Sequence, residues 1–448
     1  MRYHATRMLR TVAAHVVAAD AESTVETAVG TKDAALLARA EAVLPSLTHL
    51  STKSMPEGYS QFFSHGQGAR VWDVDGKEYI DFMCTYGPIS VGHRHPVVQA
   101  AIMAQMEKGD TLTGPTERMV ELAEKLVALN DWAAFATFQK NGTDATNLAV
   151  RYARAYTGKR KLLRAPGAYH GANALWVKGT PSSQGVLEEE SAHQLNYHFN
   201  DLGSVEDAVA ACDGDFAAIV ISAFRWDFYH DLEWPTVEFL QGVRKLCDEH
   251  DAVLIMDDIR STLRIDINGT WKQFGVSPDL MCQCKGIANG QPLAAVIGSE
   301  KLRSAASKIT ATGSFWASAV PFAAALATID VLENGGIAQM ERSGTMLREG
   351  LYAQAAKHGL CVTASGPVQM PLLIFEADRQ GGMPSRNYSW ERVTMWASEC
   401  AKAGVWFHPF HNNFLCASHT EEIIAQTLVV TDKAFAAVAE RFGTDSDA

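Results

Sequence analysis

Two apolar runs that end in opposite charges constrain this chain more than any other stretch. Leu254-Ile255-Met256 runs into Asp257-Asp258-Ile259, and Leu280 to Cys284 runs into Lys285, which opens the segment Gly286-Ile287-Ala288-Asn289-Gly290-Gln291-Pro292. Short apolar runs separated by amphipathic stretches are buried strands alternating with helices. Helical spacing over 97–107, 116–129, 145–157, 204–212 and 235–250 alternates here with apolar runs at 217–222, 252–259, 280–284 and 293–298. The pattern predicts an α/β fold with a mostly parallel, doubly wound sheet. Such sheets bind ligands at the carboxyl ends of their strands, where Asp257 and Lys285 would stand.

The chain is long enough, at 448 residues and 47% hydrophobic, for more than one domain. Residues 1–95 read as a helical arm and a β-hairpin that pack with a small domain. The large domain is expected over 96–334 and a smaller α+β domain over 335–448. The first part holds a helix over 31–45 and a hairpin from Ala69 to Phe82 that turns at Asp75-Gly76. An alanine-rich helix, 319–334, stops at Asn334-Gly335-Gly336. Beyond it follow a helix over 337–357, a strand at 370–376, helices over 390–404 and 420–442, and strands near 405–407 and 414–417.

A net charge of −12 argues against nucleic acid as the main partner, because phosphate backbones demand basic surfaces. No segment carries the ~20 apolar residues of a membrane span. Met1 to Ala19 has three arginines and no acid, which fits either a weak targeting segment or an ordinary helical arm. Eight scattered cysteines read as thiols in a reducing, cytoplasmic setting. Cys282-Gln283-Cys284 lacks a second Cys/His cluster, so no metal is expected.

Individually the chemical parts are ambiguous. Asn141-Gly142-Thr143 opens a helix whose amides suit a phosphate, although a plain capped helix reads the same way. Tyr169-His170-Gly171 follows a strand-like run, so Tyr169 can stack on a flat ring, while His170 can equally be structural. Asp257 needs a partner: either a protonated ring nitrogen or an arginine such as Arg260 or Arg264. Lys285 is either a surface lysine or an amine that forms an imine. A lysine for an imine and an acid for a pyridinium nitrogen are what pyridoxal 5'-phosphate (PLP) chemistry requires.

Taken together, the order of phosphate turn, aromatic, acid and lysine resembles the class III, fold-type-I PLP-dependent aminotransferases, above all their glutamate-1-semialdehyde aminomutase branch. The likeness runs from about residue 35 to 442. It includes the hairpin Val71-Trp72-Asp73-Val74-Asp75-Gly76, the segment from Tyr86-Gly87-Pro88 to Gly92-His93-Arg94-His95-Pro96, and Gly114-Pro115-Thr116-Glu117. The resemblance implies that Asn141, Gly142 and Thr143 bind the phosphate, Tyr169 stacks on the ring and Ile259 packs on its other face. Asp257 would bond the pyridinium nitrogen and Lys285 would form the imine. Gly313-Ser314 stands where a Gly-Thr pair reaches the neighbouring subunit's phosphate, implying a homodimer with active sites at the interface.

The implied reaction is ping-pong transfer from an amine or amino acid donor to a keto or aldehyde acceptor. An aminomutase, racemase or decarboxylase on the same scaffold is the alternative, and a degenerate binding protein a remoter one. Departures fall at Asn141 for serine, Asp258 for glutamate, Ser314 for threonine, and Ile221-Ser222-Ala223 where many relatives carry Glu-Pro. The last suggests a different substrate pocket, for which Arg225, Trp226, Tyr229 and His411 are candidates.

Overall fold

The computed structural model describes residues 31–45, 55–178, 183–227, 230–378 and 390–445. The question of a targeting segment at Met1 to Ala19, and the pocket candidate Tyr229, lie outside the described residues.

The described chain begins with the helix Thr31–Val43 and three antiparallel strands, β1 (Phe63–Gln67), β2 (Arg70–Asp73) and β3 (Glu78–Asp81). The expected hairpin turns at Asp75-Gly76, with Arg70 opposite Ile80 and Trp72 opposite Glu78. Asp73 Oδ1 accepts the amides of Asp75 and Lys77, which closes the turn. The Asp75 carboxylate in turn accepts the Lys32 and Asp33 amides, capping the first helix.

The large sheet is built from β4 (Phe135–Gln139), β5 (Lys161–Arg164), β6 (Gln194–Asn196), β7 (Phe216–Ser222), β8 (Val253–Asp257), β9 (Leu280–Gln283) and β10 (Ala294–Gly298). Its order is β4-β10-β9-β8-β7-β5-β6. Strands β6, β5, β7, β8 and β9 pair in parallel, while β10 runs antiparallel between β9 and β4. The α/β class and mostly parallel sheet therefore stand as the alternation implied. β7 and β8 carry only apolar residues until their last position and are buried on both faces, as central parallel strands are. Their register sets Ser222 opposite Asp257, and Asp257 opposite Cys282. β7 and β8 thus end level with Cys282, and β9 runs one residue further, to Gln283, two residues before Lys285.

The helix Gly142–Thr157 lays Ala145, Leu148, Ala149 and Tyr152 against this sheet. Burying a side chain the size of Leu148 contributes about 1.5–3 kcal/mol, and each alanine methyl less. The helix Ala319–Val331 breaks at Leu332–Gly336, where Gly335 takes a left-handed φ of +109°, before Ile337–Lys357 resumes. That break is the stop signal seen in the sequence.

Toward the C-terminus, β11 (Val362–Ser365) pairs antiparallel with β12 (Leu372–Phe375). β13 (Val405–Trp406) joins β3 in parallel, so the early hairpin and the late chain share one sheet. No strand forms at 414–417: Phe414 N–H donates to Phe82 O and Leu415 N–H to Gln369 O. The apolar run is buried, but its two neighbours lie in different segments, so no continuous ladder is available.

Candidate active site

Lys285 follows β9 after the single residue Cys284 and adopts a left-handed φ of +37°. Its Nζ donates to Tyr86 O at 3.0 Å. That carbonyl is delivered by an unusual backbone: Cys84, Thr85 and Tyr86 have φ of +46°, +56° and +60°. Non-glycine residues held this way cost on the order of 1–3 kcal/mol each, so the surroundings must enforce them. Asp81 Oδ1 does so by accepting the Met83 and Cys84 amides, and Cys84 Sγ contacts Phe414 O at 3.5 Å. Burial, with the Arg260 guanidinium second, pushes the Lys285 amine down from the ordinary 10.5 to about 8.

Asp257 closes β8 and is nearly buried. Its Oδ2 lies 2.7 Å from His170 Nδ1, and its Oδ1 accepts the Ile259 amide at 3.1 Å. A carboxylate only accepts, so His170 Nδ1 carries the hydrogen in this contact. The arginine partners considered from sequence are engaged elsewhere. Arg264 is buried and donates to Leu415 O and Ile89 O, and Arg260 donates to His411 and Asn412. His170, left open as a structural histidine, is thus the neighbour that orients Asp257. The adjacent Asp258 is buried and accepts from Ser261, Thr270 and Gln283; burial raises its carboxyl to about 6.

The helix Gly142–Thr157 points its start into the same region. Asn141 caps it: Oδ1 accepts the Asp144 amide and Nδ2 donates to the Asp144 carboxylate. Its side chain is therefore occupied, leaving backbone amides and the Thr143 hydroxyl as the anion donors. Thr143 Oγ1 accepts the Ala172 amide at 3.1 Å and Thr146 Oγ1 donates to His170 O at 2.7 Å. These bonds tie the helix start to the loop bearing Tyr169, whose side chain is 53% exposed. A Cβ on Gly142 would sit 2.8 Å from Ile259 Cδ1, so only glycine allows Ile259 this close to the helix start.

The expected pocket residues divide. Trp226 is buried beneath Arg260, whose Cζ lies 3.9 Å from the indole centroid, and His411 lies 5.1 Å from the same indole, ring to ring. Arg225 instead pairs with Glu233 at 2.8 Å. Ser314 is exposed beside an exposed Phe315, away from any partner within the chain's described hydrogen bonds. Arg260, Tyr86 and Asn412 were not among the site residues expected from sequence. Only the position of Arg260 three residues after Asp257 could have signalled it; Tyr86 and Asn412 arrive by long-range contacts.

The residues fit PLP. A half-buried amine poised near neutral pH, a buried carboxylate with its own donor, an exposed aromatic and a helix N-terminus converge on one side of the sheet. A family profile described as "Aminotransferase class-III" matches residues 54–443. The chain belongs to the class-III aminotransferases. It is 43% identical over 418 residues to an aminopentol aminotransferase of Sphingopyxis macrogoltabida, covering 93% of this chain and 96% of that one. It is also 30% identical over 395 residues to a glutamate-1-semialdehyde 2,1-aminomutase of Desulforamulus reducens, covering 85% and 91%.

Among solved structures, the FumI protein of Sphingopyxis sp. MTA144 in its PLP internal aldimine form superimposes with a TM-score of 0.88 at 43% identity, covering 92% of this chain and 98% of that one. A transaminase with PLP bound gives 0.83 at 26% identity with the same coverage. This class-III aminotransferase is accordingly a PLP-dependent transaminase with the type-I fold, acting on an amino donor and a keto acceptor. Among its described residues no helix is long and apolar enough to cross a membrane.

Proposed function

We propose that this aminotransferase takes the amino group of an amine of the aminopentol type and passes it to a carbonyl acceptor in two half-reactions that share Lys285. The observation that carries the assignment is the Lys285 amine, lowered to about 8 and set beside the Asp257–His170 pair. The donor class rests on the 43% identity to an aminopentol aminotransferase across nearly the whole chain.

The bound cofactor supplies an electron sink for the pair left when the substrate's α-C–H bond breaks. Lys285, as the free amine, takes that α-proton and returns one on the cofactor side. Asp257 holds a proton on the ring nitrogen, and His170 keeps the carboxylate oriented. Tyr169 stacks on one ring face and Ile259 packs on the other. Backbone amides at Asn141, Gly142 and Thr143, with the Thr143 hydroxyl, hold the phosphate. Trp226 and His411 form the aromatic wall of the substrate pocket.

The working unit is a homodimer in which Ser314 serves the partner's site. Val97, Met103, Met106, Leu112 and Phe315 are all exposed apolar side chains, as a subunit interface requires. The eight cysteines are unpaired thiols, which supports a cytoplasmic setting.

The experiment is to mix the cofactor-loaded enzyme with one equivalent of an amino alcohol and follow absorbance and carbonyl product. Stoichiometric release, with turnover only when a keto acceptor is added, is the expected result. Acceptor-independent isomerisation of glutamate-1-semialdehyde would instead establish the aminomutase reading, which the 30% identity to such an enzyme keeps open. Lys285→Ala abolishes either reaction; wild-type turnover in that variant refutes the assignment.

A further inference from the structure

Cys84, Thr85 and Tyr86 are three consecutive left-handed residues, and none of them is glycine. Such backbone persists only where its surroundings over-determine it, and it gathers at functional sites. Here it turns the Tyr86 carbonyl onto Lys285 Nζ at 3.0 Å. Gly87 comes next, at a φ of +107°, and a Cβ there would lie 3.3 Å from Lys285 Cδ. The segment is thus folded against the stem of the lysine as well as its amine.

The kind of acceptor matters. A carboxylate in this place would hold a proton on the amine. A carbonyl is neutral: it accepts one N–H and leaves the nitrogen lone pair aimed elsewhere. The acid of the site, Asp257, is engaged by His170 Nδ1 at 2.7 Å. A base that takes a proton from carbon depends on this aim, and a displacement of about 1 Å costs on the order of 100-fold in rate.

One carboxylate holds the segment in place. Asp81 is buried in the fold. Its Oδ1 accepts the Met83 and Cys84 amides at 2.9 and 3.0 Å, and its Oδ2 accepts from His93 Nε2 at 2.8 Å. Since a carboxylate only accepts, Nε2 carries the hydrogen. Two of these donors belong to the segment itself, so His93 is the anchor from outside it. His93 is clamped in turn. Its N–H donates to Gly68 O at 2.7 Å and its carbonyl accepts the Gly68 N–H at 2.8 Å. Its ring lies so near β1 that a Cβ on Gly66 would come 2.7 Å from His93 Cγ. Without His93, Oδ2 is a buried oxygen left unanswered, and the carboxylate is free to turn away from the two amides.

We propose that His93 is a positioning residue for Lys285. By fixing Asp81 against the Met83 and Cys84 amides it sets the Tyr86 carbonyl, and with it the direction of the free amine's lone pair while Lys285 moves the substrate's α-proton. This rests on Lys285 being the base, as argued above. His93 acts only through Asp81 and the backbone of residues 83–86.

The test uses the cofactor-loaded enzyme, with 2-aminopropan-1-ol carrying hydrogen or deuterium at C2 as donor and pyruvate as acceptor. His93→Leu should lower kcat about 10- to 100-fold, as a misaimed base does, while the donor KM changes less than about threefold. The deuterium effect on kcat should grow, because proton transfer then limits turnover more fully. His93→Gln, whose amide can donate to Asp81 in place of Nε2, should bring kcat back to within about threefold of wild type. His93→Asn is too short to reach Asp81; it should behave as His93→Leu does and replaces it if that variant does not fold.

A second readout needs no turnover. In the full-chain apoprotein, the pH midpoint for reductive methylation of Lys285 should fall further below about 8 in His93→Leu, because the ammonium loses its carbonyl acceptor. His93→Gln should restore it. A general loosening of the fold would instead admit water and move the midpoint up toward 10.5.

An unchanged or raised midpoint overturns the proposal. So does an unchanged kcat or isotope effect, or a loss that His93→Gln fails to recover. Failure of the Lys285 reading looks different, since Lys285→Ala would then turn over at the wild-type rate. An inactive Lys285→Ala beside unaltered His93 variants sinks only the role of His93.

Discussion

The lowered basicity of Lys285 can be measured without any assumption about substrate. Burial comes first among its causes, because a charged ammonium loses solvation beneath Tyr86; the nearby Arg260 charge comes second. A fall from 10.5 to about 8 is roughly 2.5 pH units, or about 300-fold more free amine at neutral pH. The assay is reductive methylation of the apoprotein with formaldehyde and a hydride donor from pH 6 to 10.5, quantified on the Lys285 peptide against surface lysines. Labelling of Lys285 should climb about tenfold per pH unit and level off near pH 8, while surface lysines continue to climb.

Arg260→Gln should move the midpoint upward, because a like charge is removed. The stability consequence has a defined sign. Between about pH 8 and 10.5 the unfolded chain binds a proton that the native lysine does not, so stability rises with pH across that window. Lys285→Met should abolish that rise. A Lys285 labelling curve that parallels the surface lysines to pH 10 would refute the account.

Two further outcomes follow from the groups around the strand ends. His170→Ala leaves the Asp257 carboxylate with only the Ile259 amide, so it should lower apoprotein stability by about 1.5–3 kcal/mol in urea titration and weaken cofactor uptake. Unchanged stability would show that the His170–Asp257 contact contributes nothing. Asp258, raised by burial to about 6, ionises later in the native state than in the unfolded chain. Stability from this group is therefore lost as pH rises from about 4 to 6, and Asp258→Asn should remove that component from a pH series of melting curves.

Much of the site was legible because its parts are local. Asp257 and Lys285 each close an apolar run, Gly142-Thr143 opens a helix with a cap, and the Asp75-Gly76 turn closes a hairpin. Each depends on neighbours within a few residues, where periodicity and capping leave a direct trace. The misread strand at 414–417 shows the limit. Its apolar run is buried as expected, but burial alone does not provide a ladder partner, and Phe414 and Leu415 bond to segments far away in the chain.

By itself, then, the sequence determined the alternation of strands and helices, the acid and lysine at strand ends, and a resemblance specific enough to name a cofactor. Which charges are answered was decided only by the tertiary structure. Asp257 was open to Arg260, Arg264 or a ring nitrogen; folding gave it His170, 87 residues earlier, and turned both arginines elsewhere. Arg225 and Arg260 look alike in the sequence, yet Glu233 neutralises the first and two neutral groups from beyond residue 410 hold the second. The physical reason is that a side chain's hydrogen-bond partners are set by which distant backbones the fold brings within about 3 Å, a distance that no local pattern encodes.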